Sequence, residues 1–323
     1  MRKTLYLHVG TPKTGTSTIQ WFLYRNREVL AQQGILYPAL SDKTPGHHYI
    51  ANNYRTQPLS WVEPIPRGKV LRKIARAMEA MPEAHSLCLS SEAFWGCRKR
   101  LNKFRQDFAD YDIKVIVLLR RQDDFMNALY RQDVKARKRV GDAVTFVRNG
   151  LKRLDYREKL TLLEGIFGRE NFTIIPFEPA TWHDGLENVV LNIMNIKSTE
   201  GFRILGQRNI SLCNAAIRYV QDVMDIEAMD QETYAATIRA LGIYSQKIYD
   251  TLGKDHIMAP EERTAFLETY REQNAEIASR YIGAERSSLF QLPYKPHTNL
   301  RSLEEPLSRQ EMKDISKVLK QEV

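Results

Sequence analysis

The apolar run from Thr4 to Val9 stops at Gly10, and after Thr11-Pro12-Lys13-Thr14-Gly15 a segment of helical periodicity begins at Thr16 and continues to Gln32. An apolar run, a glycine-bounded bend and an amphipathic segment make the strand–loop–helix unit from which open α/β sheets are wound. Four more short apolar runs are expected as strands: Gly34 to Tyr37, Ser86 to Ser90, Ile113 to Leu119 and Phe172 to Phe177. Several are apolar at every position instead of alternating, which suits strands covered on both faces of a parallel sheet. Helical periodicity over Val70 to Met81, Asp123 to Lys138 and Leu151 to Phe167 supplies the crossovers. The expected fold class is therefore α/β: an open, mainly parallel five-stranded sheet flanked by helices. Ligands of such sheets bind beyond the carboxyl ends of the strands.

Beyond about Phe202 the strand signals end, and Leu212 to Met224, Gln231 to Leu252 and Pro260 to Tyr281 read as helices, with a weakly amphipathic one from about Leu307. No Gly/Ser linker separates the halves, so residues 1–205 are expected as the α/β core and 206–323 as a helical region docked on it within one domain. At 323 residues, 43% hydrophobic and 27% charged, the chain has the size and balance of a globular enzyme. No apolar stretch approaches the roughly 20 residues of a membrane helix. The run behind Met1-Arg2-Lys3 ends too early for a secretion signal, and a cytoplasmic protein with no membrane span is expected. Cys88, Cys97 and Cys213 lack C-x-x-C spacing, so free thiols are expected and neither a disulfide framework nor a zinc ribbon is.

The net charge of +9 is unevenly placed. Between Arg120 and Arg153 there are ten basic residues against four acidic ones. Such a field favours a polyanion: nucleotide phosphates, an acidic glycan or nucleic acid. A solvated helix face explains Arg137 to Arg139 equally well.

Glycines let a backbone close around phosphate oxygens, and the amides at a helix N-terminus add donors and the positive end of a dipole. Gly10 and Gly15 have Walker A spacing, but Thr16 follows Gly15 where a nucleoside-triphosphatase carries lysine, and the lysine lies inside the loop as Lys13. Thr14, Thr16, Ser17 and Thr18 add hydroxyls, so an anion is expected to be held without an obligatory metal.

Pro12-Lys13-Thr14-Gly15-Thr16-Ser17 resembles the 5′-phosphosulfate loop of sulfotransferases that use 3′-phosphoadenosine 5′-phosphosulfate (PAPS). Ile116 to Arg121 followed by Asp123 to Tyr130 resembles that family's 3′-phosphate motif, and Tyr281 to Phe290 resembles the end of bacterial members. The resemblance covers about residues 3 to 290. It implies a P-loop-like α/β fold, PAPS as co-substrate and sulfuryl transfer to a hydroxyl or amine; a saccharide or other small-molecule acceptor is expected from the basic surface and the aromatic residues alone. It implies donor contacts from Thr11, Pro12, Lys13, Thr14, Gly15, Thr16, Ser17 and Thr18, with Lys13 stabilising the leaving nucleotide and Arg120 holding the 3′-phosphate. The family's helix serine is replaced by Ala128, with Asn127 or Arg121 as substitutes. Arg208, in Gln207-Arg208-Asn209-Ile210-Ser211, is a further candidate, although a helix cap at Asn209 or Ser211 explains the same residues.

The acceptor's proton needs a base. Glu92, just past the third strand, and His48, in the Pro45-Gly46-His47-His48 loop, are the candidates, with Glu92 favoured. Glu92 also reads as a carboxylate satisfying a helix N-terminus, and His47 and His48 as a polar loop pair. His8 is expected to pack beneath the glycine loop. Phe94, Trp95 and Trp61 read as core or as the floor of a sugar cleft. A nucleotide kinase or ATPase, and a nucleic-acid-binding protein using the basic region, are the competing functions. Oligomeric state has no signature in the sequence.

Overall fold

The computed structural model describes residues 2–41, 44–138, 140–182, 184–196, 199–204, 211–292 and 301–322. Five strands, β1 (Lys3–His8), β2 (Ile35–Leu36), β3 (Ser86–Ser90), β4 (Tyr111–Leu119) and β5 (Phe172–Pro176), form one sheet in the order β2-β3-β1-β4-β5. Every pairing is parallel, and His8 at the end of β1 lies opposite Ser90 of β3 and Ile116 of β4. The chain winds to one side of β1 through β2 and β3, then crosses to the other through β4 and β5. The carboxyl end of β1 is thus the switch point at which open sheets present their ligand site.

β1 shows why the sheet is buried twice. Leu5 and Leu7 pack into a cluster with Val115, Val117 and Leu160, while Tyr6 faces a second cluster holding Ile19, Phe22 and Leu23 of the helix α1 (Thr16–Arg25). Phe22 and Leu23 are fully buried, a contribution of about 1.5–3 kcal/mol each. The helix expected to run unbroken to Gln32 stops at Asn26, whose Nδ2 donates to the carbonyls of Phe22 and Arg203 while its Oδ1 accepts from the Arg203 amide. A short amide side chain there outcompetes the helical ladder. The helix expected over Pro260 to Tyr281 is likewise two, Pro260–Glu268 and Arg271–Tyr281, with Thr269 hydroxyl and amide both turned back to the Phe266 carbonyl.

The chain forms two compact units that interleave in sequence. One comprises Met1–Arg120, Asp155–Gly206 and Gln273–Gln291, and holds the sheet. The other comprises Arg121–Leu154, Gln207–Glu272 and Leu292–Val323, and is helical around a core of Met126, Leu241 and Ile217. The sequence predicts a single junction after residue 205, and these units divide the chain at several points. Arg131, counted from sequence as part of a basic field, is buried in the helical unit, where it pairs with Asp255 at 3.0 Å and also donates to Asn214 and the Leu212 carbonyl. Arg137 donates to the carbonyls of Ile226 and Met229, and Lys138 pairs with Asp133. Arg131 and Arg137 are thus tied to the helical unit's own carbonyls and side chains, whereas Lys138 pairs at the surface. No helix among the described residues is long and apolar enough to cross a membrane.

Candidate functional site

The loop between β1 and α1 is shaped by three residues of positive φ: Gly10 at 91°, Lys13 at 66° and Gly15 at 73°. Glycine adopts this region freely; a lysine there is strained by about 1–2 kcal/mol, a burden that recurs at functional sites. The loop's first half extends the sheet, since Thr11 N–H donates to the Leu118 carbonyl and Leu118 N–H to the Gly10 carbonyl, both at 2.7 Å. The Thr11 hydroxyl adds a second bond to Leu118, and the buried Thr14 hydroxyl donates to the Thr11 carbonyl at 2.6 Å. These two hydroxyls hold the loop itself. Thr16 is buried, Ser17 exposed, and Pro12, Lys13 and Thr18 half-buried.

The first helical hydrogen bond of α1 runs from Ile19 N–H to the Gly15 carbonyl, so the amides of Thr16, Ser17 and Thr18 precede the ladder. Their cap is Gly15, with no side chain to occupy them. A Cβ on Gly15 would lie 2.5 Å from Leu186 Cδ2, and one on Gly10 would lie 2.9 Å from Glu92 Cβ. Donor amides, a dipole end and backbone packed too closely for a side chain are what an oxyanion requires.

Arg120 follows β4 and reaches back to this loop: its Nη1 donates to the Lys13 carbonyl at 2.7 Å. Its guanidinium lies 5.5 Å from the centre of the Phe177 ring, and its carbonyl accepts from the Tyr156 hydroxyl. Arg121 belongs to the helical unit, where Nε and Nη2 meet Asp123 at 3.0 Å and Asp124 at 3.1 Å. Asn127 accepts from Arg131 Nε, and Ala128 is half-buried in the helix Gln122–Lys135. Arg208 and its neighbours 207–210 lie outside the described residues.

The candidate bases meet beyond the carboxyl ends of β1 and β3. Ser91, not Glu92, caps the short 3₁₀ turn Glu92–Gly96 by accepting from Ala93 N–H. The Glu92 carboxylate is turned to α1, where Gln20 Nε2 donates to its Oε2 at 2.9 Å. Gln20, buried within an otherwise apolar stripe of Ile19, Phe22 and Leu23, was not singled out from sequence; a polar residue on that stripe was its signal. His48 bonds Ser91 Oγ through Nδ1 at 2.8 Å. Burial lowers its pKa below the usual imidazole value, against the opposing pull of Glu92. The two candidates are thus electrostatically linked.

His47 has no nitrogen left to act as a base. Its Nδ1 accepts from Ser90 N–H at 2.9 Å, which makes Nε2 the donor to the Pro38 carbonyl, and burial pushes its pKa down to about 4. His8 is buried beneath the loop with Nδ1 on Ser90 Oγ at 2.7 Å, and burial pushes it too to about 4. Phe94 is fully buried in the core, whereas Trp61 is exposed.

Among the described residues one cluster has metal-ligand chemistry, Asp123, Asp124 and His256 in the helical unit. Its carboxylates already face cations: Arg263 meets Asp123 at 2.6 Å and Asp124 at 3.2 Å, and Arg121 meets both. Burial and Arg263 push His256 down to about 3. The arrangement is an ion-pair network.

No protein-family model matches the sequence, and no curated protein matches it. Among solved structures the chain is similar to a sulfotransferase from Alicyclobacillus acidocaldarius, 14% identical, over 79% of this chain and 98% of that one, with a TM-score of 0.38.

Proposed function

We propose that this protein is a PAPS-dependent sulfotransferase that moves a sulfuryl group to an acceptor hydroxyl or amine. The observation that carries the reading is the hydrogen bond from Arg120 to the Lys13 carbonyl, which joins the loop suited to a 5′-phosphosulfate to the arginine suited to a 3′-phosphate. A bisphosphorylated nucleoside has anions at both ends of its ribose, and this pair of elements offers a cation for each. A planar guanidinium suits phosphate oxygens better than an ammonium does.

In the proposed reaction the acceptor oxygen attacks sulfur while the bond from sulfur to the phosphate's bridging oxygen breaks. The leaving group is adenosine 3′,5′-bisphosphate, and the acceptor's proton passes to a base. Lys13 meets the charge that grows on the leaving oxygen, and the amides of Gly15, Thr16 and Ser17 hold the 5′-phosphate. Glu92 is the base: Gln20 fixes its Oε2, while Oε1 takes no hydrogen bond from the described residues. His48 is the second group able to receive the proton.

Isothermal calorimetry with three ligands tests the assignment. Micromolar binding of adenosine 3′,5′-bisphosphate without added metal supports it. Tight binding of ATP–magnesium with none of the bisphosphate replaces it by a kinase or ATPase. Binding of an oligonucleotide alone, with a steep salt dependence, replaces it by a nucleic-acid-binding protein.

A further inference from the structure

The sulfotransferase reading leaves the acceptor open, and one residue beside the candidate bases addresses it. Trp61 is 62% exposed, whereas the other three tryptophans, Trp21, Trp95 and Trp182, are all half-buried. Exposure alone needs no explanation; what marks this indole is the exposed ring beside a candidate base. Its position is fixed by its surroundings. The Leu59 amide donates to Asn52 Oδ1 at 2.7 Å, the Val62 amide to the Leu59 carbonyl, and Asn53 Nδ2 to the Ile65 carbonyl, while Val62 itself is buried. The ring meets the His48 imidazole at 71° with centroids 5.0 Å apart.

The tryptophan is therefore held in solvent by a pinned loop, in contact with one of the two groups able to take the acceptor's proton. We propose that the exposed face of Trp61 is the platform on which a saccharide acceptor lies, presenting a hydroxyl to His48 and Glu92. Three features select this chemistry. The face of an indole is electron-rich and attracts the C–H groups on the apolar side of a sugar ring. The platform is open, which suits a hydrated polyol that keeps its outer hydroxyls in water, whereas small apolar phenols favour enclosed apolar pockets. The neighbouring groups are polar, His48 bonded to Ser91 Oγ and Glu92 bonded to Gln20, and a hydroxyl-rich acceptor can add hydrogen bonds to them.

The test uses labelled PAPS with cellotetraose, chitotetraose and desulfated heparin, against para-nitrophenol and benzylamine. Wild-type protein is compared with Trp61→Ala and Trp61→Phe, and calorimetry with adenosine 3′,5′-bisphosphate is run on all three. The expected result is transfer to at least one of the saccharides, with its KM raised roughly tenfold or more in Trp61→Ala and little changed in Trp61→Phe. The value of kcat and the bisphosphate affinity stay near wild type in both variants. Transfer only to the phenol or amine, an unchanged KM in Trp61→Ala, or bisphosphate binding without transfer to any saccharide overturns the platform and leaves the sulfotransferase reading standing. Failure of the wild-type protein to bind the bisphosphate overturns both.

Discussion

The Arg120 guanidinium is bonded through Nη1 to the main-chain carbonyl of Lys13, not to its side chain, at a residue whose φ of 66° places it in the left-handed region. The arginine that follows β4 thus holds in place a strained peptide through its main chain. Backbone strain and the proposed catalytic charge meet at one residue, so substitution can separate them.

Lys13→Gly is expected to move stability and turnover in opposite directions. Glycine accepts a φ of 66° without the Cβ conflict, so the variant keeps or gains stability, by up to about 1 kcal/mol after its greater unfolded-state entropy is offset. Loss of the cation at the leaving oxygen is expected to lower kcat by about 10²–10³-fold. Thermal melting and turnover of labelled PAPS on the same preparations check it. A variant that melts no lower and turns over like wild type removes Lys13 from the mechanism.

The buried histidines give the fold a definite response to acid. His8 and His47 titrate near 4 in the folded chain because burial disfavours their charged forms, and an exposed imidazole titrates near 6.5. Below the unfolded value the unfolded chain binds protons that the native one refuses. The stability contributed by these neutral rings is full above about pH 6.5 and is lost as pH falls toward 4, on the order of 3 kcal/mol for each. His8→Gln keeps a polar end for Ser90 but does not titrate, so its melting temperature is expected to fall less between pH 7 and pH 4.5 than that of wild type. Parallel falls in the two proteins contradict a neutral buried His8.

How much of this was legible in the sequence depended on how local each signal was. β3 was expected at Ser86–Ser90 and the long helix at Gln231–Leu252, and both are found at those bounds, because each is delimited by its own neighbours. The bend at Gly10 to Gly15 was legible for the same reason. The break at Asn26 was not, since the carbonyl of Arg203 that secures it lies 177 residues away. Arg131 misled the charge argument because sequence counts a cation but not the Asp255 carboxylate that receives it in the interior. Gln20 stood out only as a polar residue on the apolar stripe of α1, and its partner Glu92, 72 residues away, was not legible from that. One of the boundaries between the two compact units falls between Arg120 and Arg121, within a single sequence motif, so no change of composition marks it.

Lys159 offers a prediction at a site with no part in the proposed chemistry. Its Nζ is buried with no hydrogen-bond partner among the described residues, and lies 5.7 Å from the centre of the Trp95 ring. Burial pushes its pKa down to about 8, with Cys97 as the opposing influence and Arg98 adding to the fall. A free lysine titrates near 10.4. Between these values the unfolded chain holds a proton that the native one has released, so this group makes stability rise with pH from about 8 to about 10.4. Lys159→Met fills similar volume without a charge. It is expected to stabilise the protein at pH 7 by on the order of 1–3 kcal/mol, less the weak attraction of the ammonium for the Trp95 face. The advantage is expected to shrink as pH approaches 10, where the wild-type amine is neutral in the native state. Urea unfolding of both proteins at pH 7 and pH 10 checks the pair of expectations. A variant less stable than wild type at pH 7, or an advantage that does not change with pH, shows that the ammonium is satisfied where it sits.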